Sequence, residues 1–166
     1  SAAGLYRHYP NKEAMFEDLV QPLIREMDAW TQHHKEQSYE RMQQGEEGKE
    51  SLLGESMIDL IRKVVYPQKD VFQVLMKGAA GSRYEDFMHR YVEVQQKEMT
   101  QALDYMREHG YPVQEISKEE LHMLLSAYTA AIFEPVLHDY PEEQMNHCLD
   151  MASRFFLPGW KEIMGI

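Results

Sequence analysis

Residues 121–137, LHMLLSAYTAAIFEPVL, restrict the possible folds of this chain more than any other stretch. Leu121, Leu124, Leu125, Tyr128 and Ile132 recur at helical spacing and form one apolar stripe. Met123, Ala127, Ala130, Ala131 and Phe133 make much of the remaining circumference apolar too. A helix that is apolar nearly all round has to be covered on more than one side. In a chain of 166 residues the expected first cover is the rest of a helical bundle, and the expected second is another copy of the subunit.

The remainder reads as helix as well, divided by prolines and glycines into helix-sized pieces. Residues 1–8 look like the last turns of a helix ended at Tyr9-Pro10. Asn11 caps a new one, with Met15, Leu19, Leu23 and Met27 on one face. This helix is expected to run to about Gln43 and to kink at Pro22, where an amide donor is missing. Gln43–Lys49 (QQGEEGK) is a polar loop. A helix over 51–66 is expected to stop at Pro67, and a shorter one over 70–80 at Gly81. Ser82 and Glu85 have capping-box spacing and predict the start of a long helix ending at His109-Gly110. Ser117 and Glu120 repeat that spacing ahead of the apolar helix. Pro141 opens the last helix, with Met145, Cys148, Leu149, Ala152, Phe155 and Phe156 on one face. Pro158-Gly159 is expected to break it and leave WKEIMGI as a tail. No segment alternates like a strand, and there is no internal repeat. The fold class read from this pattern is all-α.

No apolar run approaches the roughly 18–20 residues needed to cross a bilayer, and no signal sequence opens the chain. A lone cysteine, Cys148, excludes an internal disulfide, in keeping with a reducing cytoplasm. The net charge is −11, yet residues 1–12 carry Arg7 and Lys12 and no acid. A basic tip on an acidic body can still dock on nucleic acid through that tip. Its chemistry suits the task. Ala2, Ala3 and Gly4 are small enough for close approach to base edges. Tyr6 and His8 offer donors to phosphate oxygens. Arg7 can reach a base edge or a phosphate, and Lys12 sits in a helix's first turn, where backbone amides also favour an anion. Leu5 and Tyr9 are the expected packing anchors.

Gly4, Leu5, Tyr6, His8, Tyr9, Lys12, Glu13 and Ala14 fall on the pattern that closes the helix-turn-helix of the TetR family of bacterial transcriptional regulators, and GLYRHYPNKEAMFEDLV resembles that segment. The resemblance is specific up to about Val20. It implies two units, residues 1–20 as the end of a DNA-binding domain and residues 21–166 as a helical regulatory domain. It also implies double-stranded operator DNA as partner, and two further helices ahead of this point, so that residues 1–166 alone are expected to bind DNA poorly. The family dimerises through its last two long helices. Residues 117–138 and 142–157 are placed to be that pair, with Leu124, Ala127, Ala131, Cys148, Ala152, Phe155 and Phe156 as candidate interface. The family's helical body binds a small molecule. Trp30, Phe72, Met76, Phe87, Met88, Tyr91, Met123 and Tyr128 are the apolar and aromatic residues placed to line such a cavity, which favours a hydrophobic or amphipathic effector. The implied function is a repressor released from its operator by that effector.

Other chemistry is thin. His33 and His34 are adjacent on a helix and diverge, so they cannot chelate together; His147-Cys148 has the same defect. There is no nucleophilic triad, phosphate-cradling glycine loop or paired-carboxylate motif. The expectation is therefore no cofactor, no metal and no catalysis. The alternative reading is a helical interaction or adaptor module that does not bind DNA.

Overall fold

The computed structural model describes residues 9–43 and 55–166. The described residues are helical, without strand: α1 (Lys12–Gln43), α2 (Glu55–Leu60), a π-turn (Ile61–Val65), a 3₁₀-turn (Tyr66–Gln68), α3 (Lys69–Gly78), α4 (Phe87–Glu108), α5 (Lys118–Leu137) and α6 (Glu142–Met164). None of the helices is long and apolar enough to cross a membrane.

α5 is the hub. It packs on α3, α4, α6 and the π-turn, while α1 packs on α2, α3 and the π-turn. Leu121, Leu125, Tyr128, Ile132, Phe133 and Val136 of α5 are buried. Phe133 stacks on Phe72 of α3 at a centroid distance of 4.9 Å, both rings being fully buried. Removing either ring is the kind of core truncation that costs about 3–5 kcal/mol. The start of α5 is the capping box read from the sequence. Ser117 Oγ accepts the Glu120 amide at 3.2 Å, and the Glu120 carboxylate accepts the Ser117 amide at 2.8 Å. Asn11 likewise caps α1, its Oδ1 accepting the Ala14 amide at 2.8 Å, and α1 continues unbroken through Pro22.

Three expected boundaries fall elsewhere. Pro67 does not end a helix. Proline cannot donate to the Lys63 carbonyl, and the backbone changes register around it: the Tyr66 amide reaches back to Ile61 O, and the Lys69 amide to Tyr66 O. The wide turn followed by the tight one carries the chain past the proline while burying Ile61, Val64 and Val65. Ser82 and Glu85 do not cap α4 but hold the turn before it. Ser82 Oγ accepts the Tyr84 amide, and Glu85 accepts the Gly81 amide. Tyr84 is the cause: it is buried, faces Phe16 and bonds the Gln21 side chain at 2.6 Å, so helix begins only at Phe87.

Pro158-Gly159 does not break α6 either, because Trp160 and Met164 beyond it are buried in the core. The stop comes at Gly165, in the left-handed conformation (φ 70°). A Cβ there would lie 2.5 Å from the Pro112 carbonyl oxygen, so the position demands glycine twice over. The Gln114 amide donates to Ile163 O at 2.8 Å and ties the α4–α5 connection to the end of α6.

The hydrogen bonds from Ser117 hold the Glu120 carboxyl below its ordinary value of 4.5. A depressed folded-state pKa contributes stability that is present above the ordinary value and lost as pH falls through the lower one. Acid unfolding of Glu120→Gln, which keeps an acceptor but cannot titrate, should therefore be less pH-dependent below 4.5 than that of the parent. Circular-dichroism melts across pH 3–6 measure this; identical slopes would remove Glu120 from the acid response.

Candidate functional site

α1 and α4 are not among the closely packed helix pairs, and the space between them holds two cavities. The inner one, about 140 Å³, has an apolar interior built from Met57 and Leu60, from Met99, Ala102 and Met106 of α4, from Leu125 and Tyr128 of α5, and from Trp160 and Met164 of α6. α1 lines it with Trp30, His34 and Ser38, which recur four residues apart, and with Tyr39. The outer cavity is larger, about 400 Å³, and more polar, with Asp28 and Gln32 of α1 facing Arg90 and Tyr91 of α4.

Four side chains line both: Thr31 and Lys35 of α1, Gln95 and Glu98 of α4. They form the partition between the cavities. Lys35 and Glu98 make an ion pair across it, each about 30% exposed (30% and 29%). Glu98 Oε2 is buried and has no aligned hydrogen bond, so the Lys35 ammonium is its whole compensation. Thr31 turns its hydroxyl to Met27 O at 3.0 Å. Gln95 differs from its neighbour Gln96. The Gln96 amide is buried and satisfied, donating to Lys118 O at 2.6 Å. Gln95 Nε2 and, one turn earlier, the Tyr91 hydroxyl are buried with no hydrogen-bond partner. Burial pushes the Tyr91 phenol well above its ordinary value, with smaller contributions from Tyr128 and Asp28. It pushes Tyr128 up to about 12. Both are neutral phenols at any physiological pH. Burial also raises the Asp28 carboxyl.

Of the residues expected to line a cavity, Trp30 and Tyr128 line the inner one, and Phe87 and Tyr91 the outer. The other four do not. Phe72 is core, stacked on Phe133. Met76 and Met88 are half-buried against the core, away from both cavities. Met123 is 61% exposed on the outside of α5. Helical periodicity identifies apolar faces, but which face meets a void depends on how neighbouring helices diverge. Trp160 and Met164 reach the cavity only because α6 continues through Pro158, which local propensity opposes. Lys35, Gln95 and Glu98 gave no signal, being ordinary polar residues on two helices distant in sequence.

Among the interface candidates, Ala127 is exposed, and Leu124, Ala131 and Cys148 are half-buried. Phe155 is 76% exposed. Ala152 is instead buried within the subunit, and Phe156 packs on Tyr128 with ring centroids 5.1 Å apart. Met123 and Met151 are further exposed members of these helix faces. At the other end, Lys12 is exposed in the first turn of α1, and the Tyr9 hydroxyl donates to Asp18 of that helix at 2.6 Å. Ala2, Ala3, Gly4, Tyr6, Arg7 and His8 lie outside the described residues. Among the described residues, no three His, Cys, Asp or Glu side chains gather as a metal site. Comparison with protein-family models, with curated proteins and with solved structures gives no match to this chain.

An unpaired buried amide is a liability of about 1–3 kcal/mol. Replacing Gln95 by leucine, of similar volume, should thus stabilise the ligand-free protein by about 1 kcal/mol and raise its melting temperature by about 2–4 °C. Differential scanning calorimetry reads this directly, and a lower melting temperature would mean that the amide is paired.

Proposed function

We propose that this protein is a ligand-responsive DNA-binding regulator of the TetR type, a homodimeric repressor released from operator DNA by a small hydrophobic or amphipathic effector. The observation that carries the reading is that one helix serves both ends of such a switch. α1 begins at Lys12, the last basic position of the segment GLYRHYPNK, and its middle supplies Trp30, Thr31, His34 and Lys35 to the cavities. A ligand that enters between α1 and α4 bears on the helix to which the DNA-reading segment is joined, and Tyr9–Asp18 ties that segment to it. The coupling requires the ligand to bind the two helix arrangements unequally. On this reading the protein is a switch and not an enzyme.

The second support is the uncovered apolar surface of the last two helices. Met123, Ala127 and Ala130 recur on α5, and Cys148, Met151 and Phe155 on α6, at helical spacing. Phe155 and Met151 are 76% and 52% exposed. Exposed apolar stripes on adjacent helices are suited to a four-helix interface with a symmetry mate.

The full-length gene product should retard duplex DNA taken from upstream of its own gene in a mobility-shift assay. Lys12→Ala should weaken binding similarly for every sequence and lower the slope of log K against log salt by about 1. No retardation by the parent at low salt would sink the DNA-binding reading and leave the interaction-module alternative. Light scattering at micromolar concentration should give a dimer mass. Phe155→Glu should weaken the dimer on the order of 100-fold, and a monomeric parent would overturn the interface.

A further inference from the structure

The two cavities have one partition, and one of its polar side chains, Gln95, has an unused donor, with a second unused donor beside it. Gln95 Nε2 and the Tyr91 hydroxyl are donors, one helical turn apart on α4, buried and unpartnered. Both line the outer cavity, and Gln95 lines the inner one as well. Buried donors are normally satisfied; two unsatisfied ones a turn apart, one in the partition and one beside it in the outer cavity, are what a site prepared for an acceptor oxygen looks like before the oxygen arrives. The ion pair that completes the partition is no permanent wall. Lys35 and Glu98 each keep about a third of their side chain in water (30% and 29%), so both can swing outward and still be solvated.

We propose that the inner and outer cavities are halves of a single binding site, whose ligand is a neutral molecule with a compact apolar ring joined by a short apolar link to a hydrogen-bond-accepting oxygen. This rests on the reading that the cavities hold an effector, and it specifies that effector's chemistry. The ring occupies the inner chamber, whose roughly 140 Å³ is on the scale of an apolar cavity that admits benzene. The oxygen sits at the partition and accepts from Gln95 and Tyr91. The remainder extends into the outer cavity of about 400 Å³, within the usual range of small-molecule sites. Neutrality is favoured because Asp28 and Glu98 balance Lys35 and Arg90, so the cavity offers a charged ligand no net attraction to offset its desolvation.

Three probes sharing one skeleton test this by titration calorimetry on the full-length protein: n-butylbenzene, 4-phenylbutan-2-one and 3-phenylpropanoate. The ketone should bind at least tenfold more tightly than the carboxylate. Gln95→Leu should lower the ratio of ketone to hydrocarbon affinity about tenfold while keeping hydrocarbon binding, and Tyr91→Phe should lower it in the same direction. A ratio unchanged in both variants, or a carboxylate that binds as well as the ketone, overturns the acceptor assignment and leaves the cavity reading in place. Failure of the parent to bind any probe up to its solubility overturns the cavity reading and this inference together. Circular dichroism of each variant separates lost folding from lost binding.

Discussion

The burial of α5 is the constraint on which the other helices depend. Its inner face needs neighbours on several sides, and α3, α4, α6 and the π-turn all come to it. Each fully buried large apolar side chain contributes about 1.5–3 kcal/mol over exposure, and α5 concentrates many of them in one helix. That demand explains features that local propensity opposes. The chain passes Pro67 by changing hydrogen-bond register, since a break there would misplace Phe72 and Leu75 beyond it, both fully buried in the core. α6 passes Pro158 for the same reason, on behalf of Trp160 and Met164. In both places tertiary burial outweighs the single backbone hydrogen bond that proline forfeits.

α1 and α4 are a pair that this packing does not bring into close contact, and the cavities lie between them. The molecule keeps the gap open at a local energetic disadvantage. Gln95 and Tyr91 each bury a donor without a partner, where an apolar side chain of similar size would leave no donor unpaired. Retained local conflicts of this kind belong more often to binding sites than to structural cores, because stability and function draw on the same side chains in opposite directions.

Much of the fold was legible in the sequence, because apolar spacing and capping chemistry are local signals. The Asn11 cap, the extent of α1, the Ser117–Glu120 box and the end of α4 just before His109-Gly110 all appear as read. The failures share one cause. Pro67, Ser82 and Pro158 carry strong local instructions that tertiary packing overrides: the burial of Phe72 and Leu75, the Tyr84 hydrogen bond to Gln21, and the burial of Trp160. The candidate site was less legible for a related reason. Trp30, Phe87, Tyr91 and Tyr128 were found as members of apolar faces. Lys35 and Glu98 are 63 positions apart on separate helices, and only the assembled bundle brings them together.

The passage of α6 beyond Pro158 has an optical consequence. The chain contains two tryptophans, and both face the inner chamber: Trp30 from α1, beneath the Lys63 ammonium, and Trp160 from the last turns of α6. Whatever enters that chamber changes the polarity around both indoles of these 166 residues. The fold therefore carries its own fluorescent reporter, and its ultraviolet emission is a record of what the chamber contains.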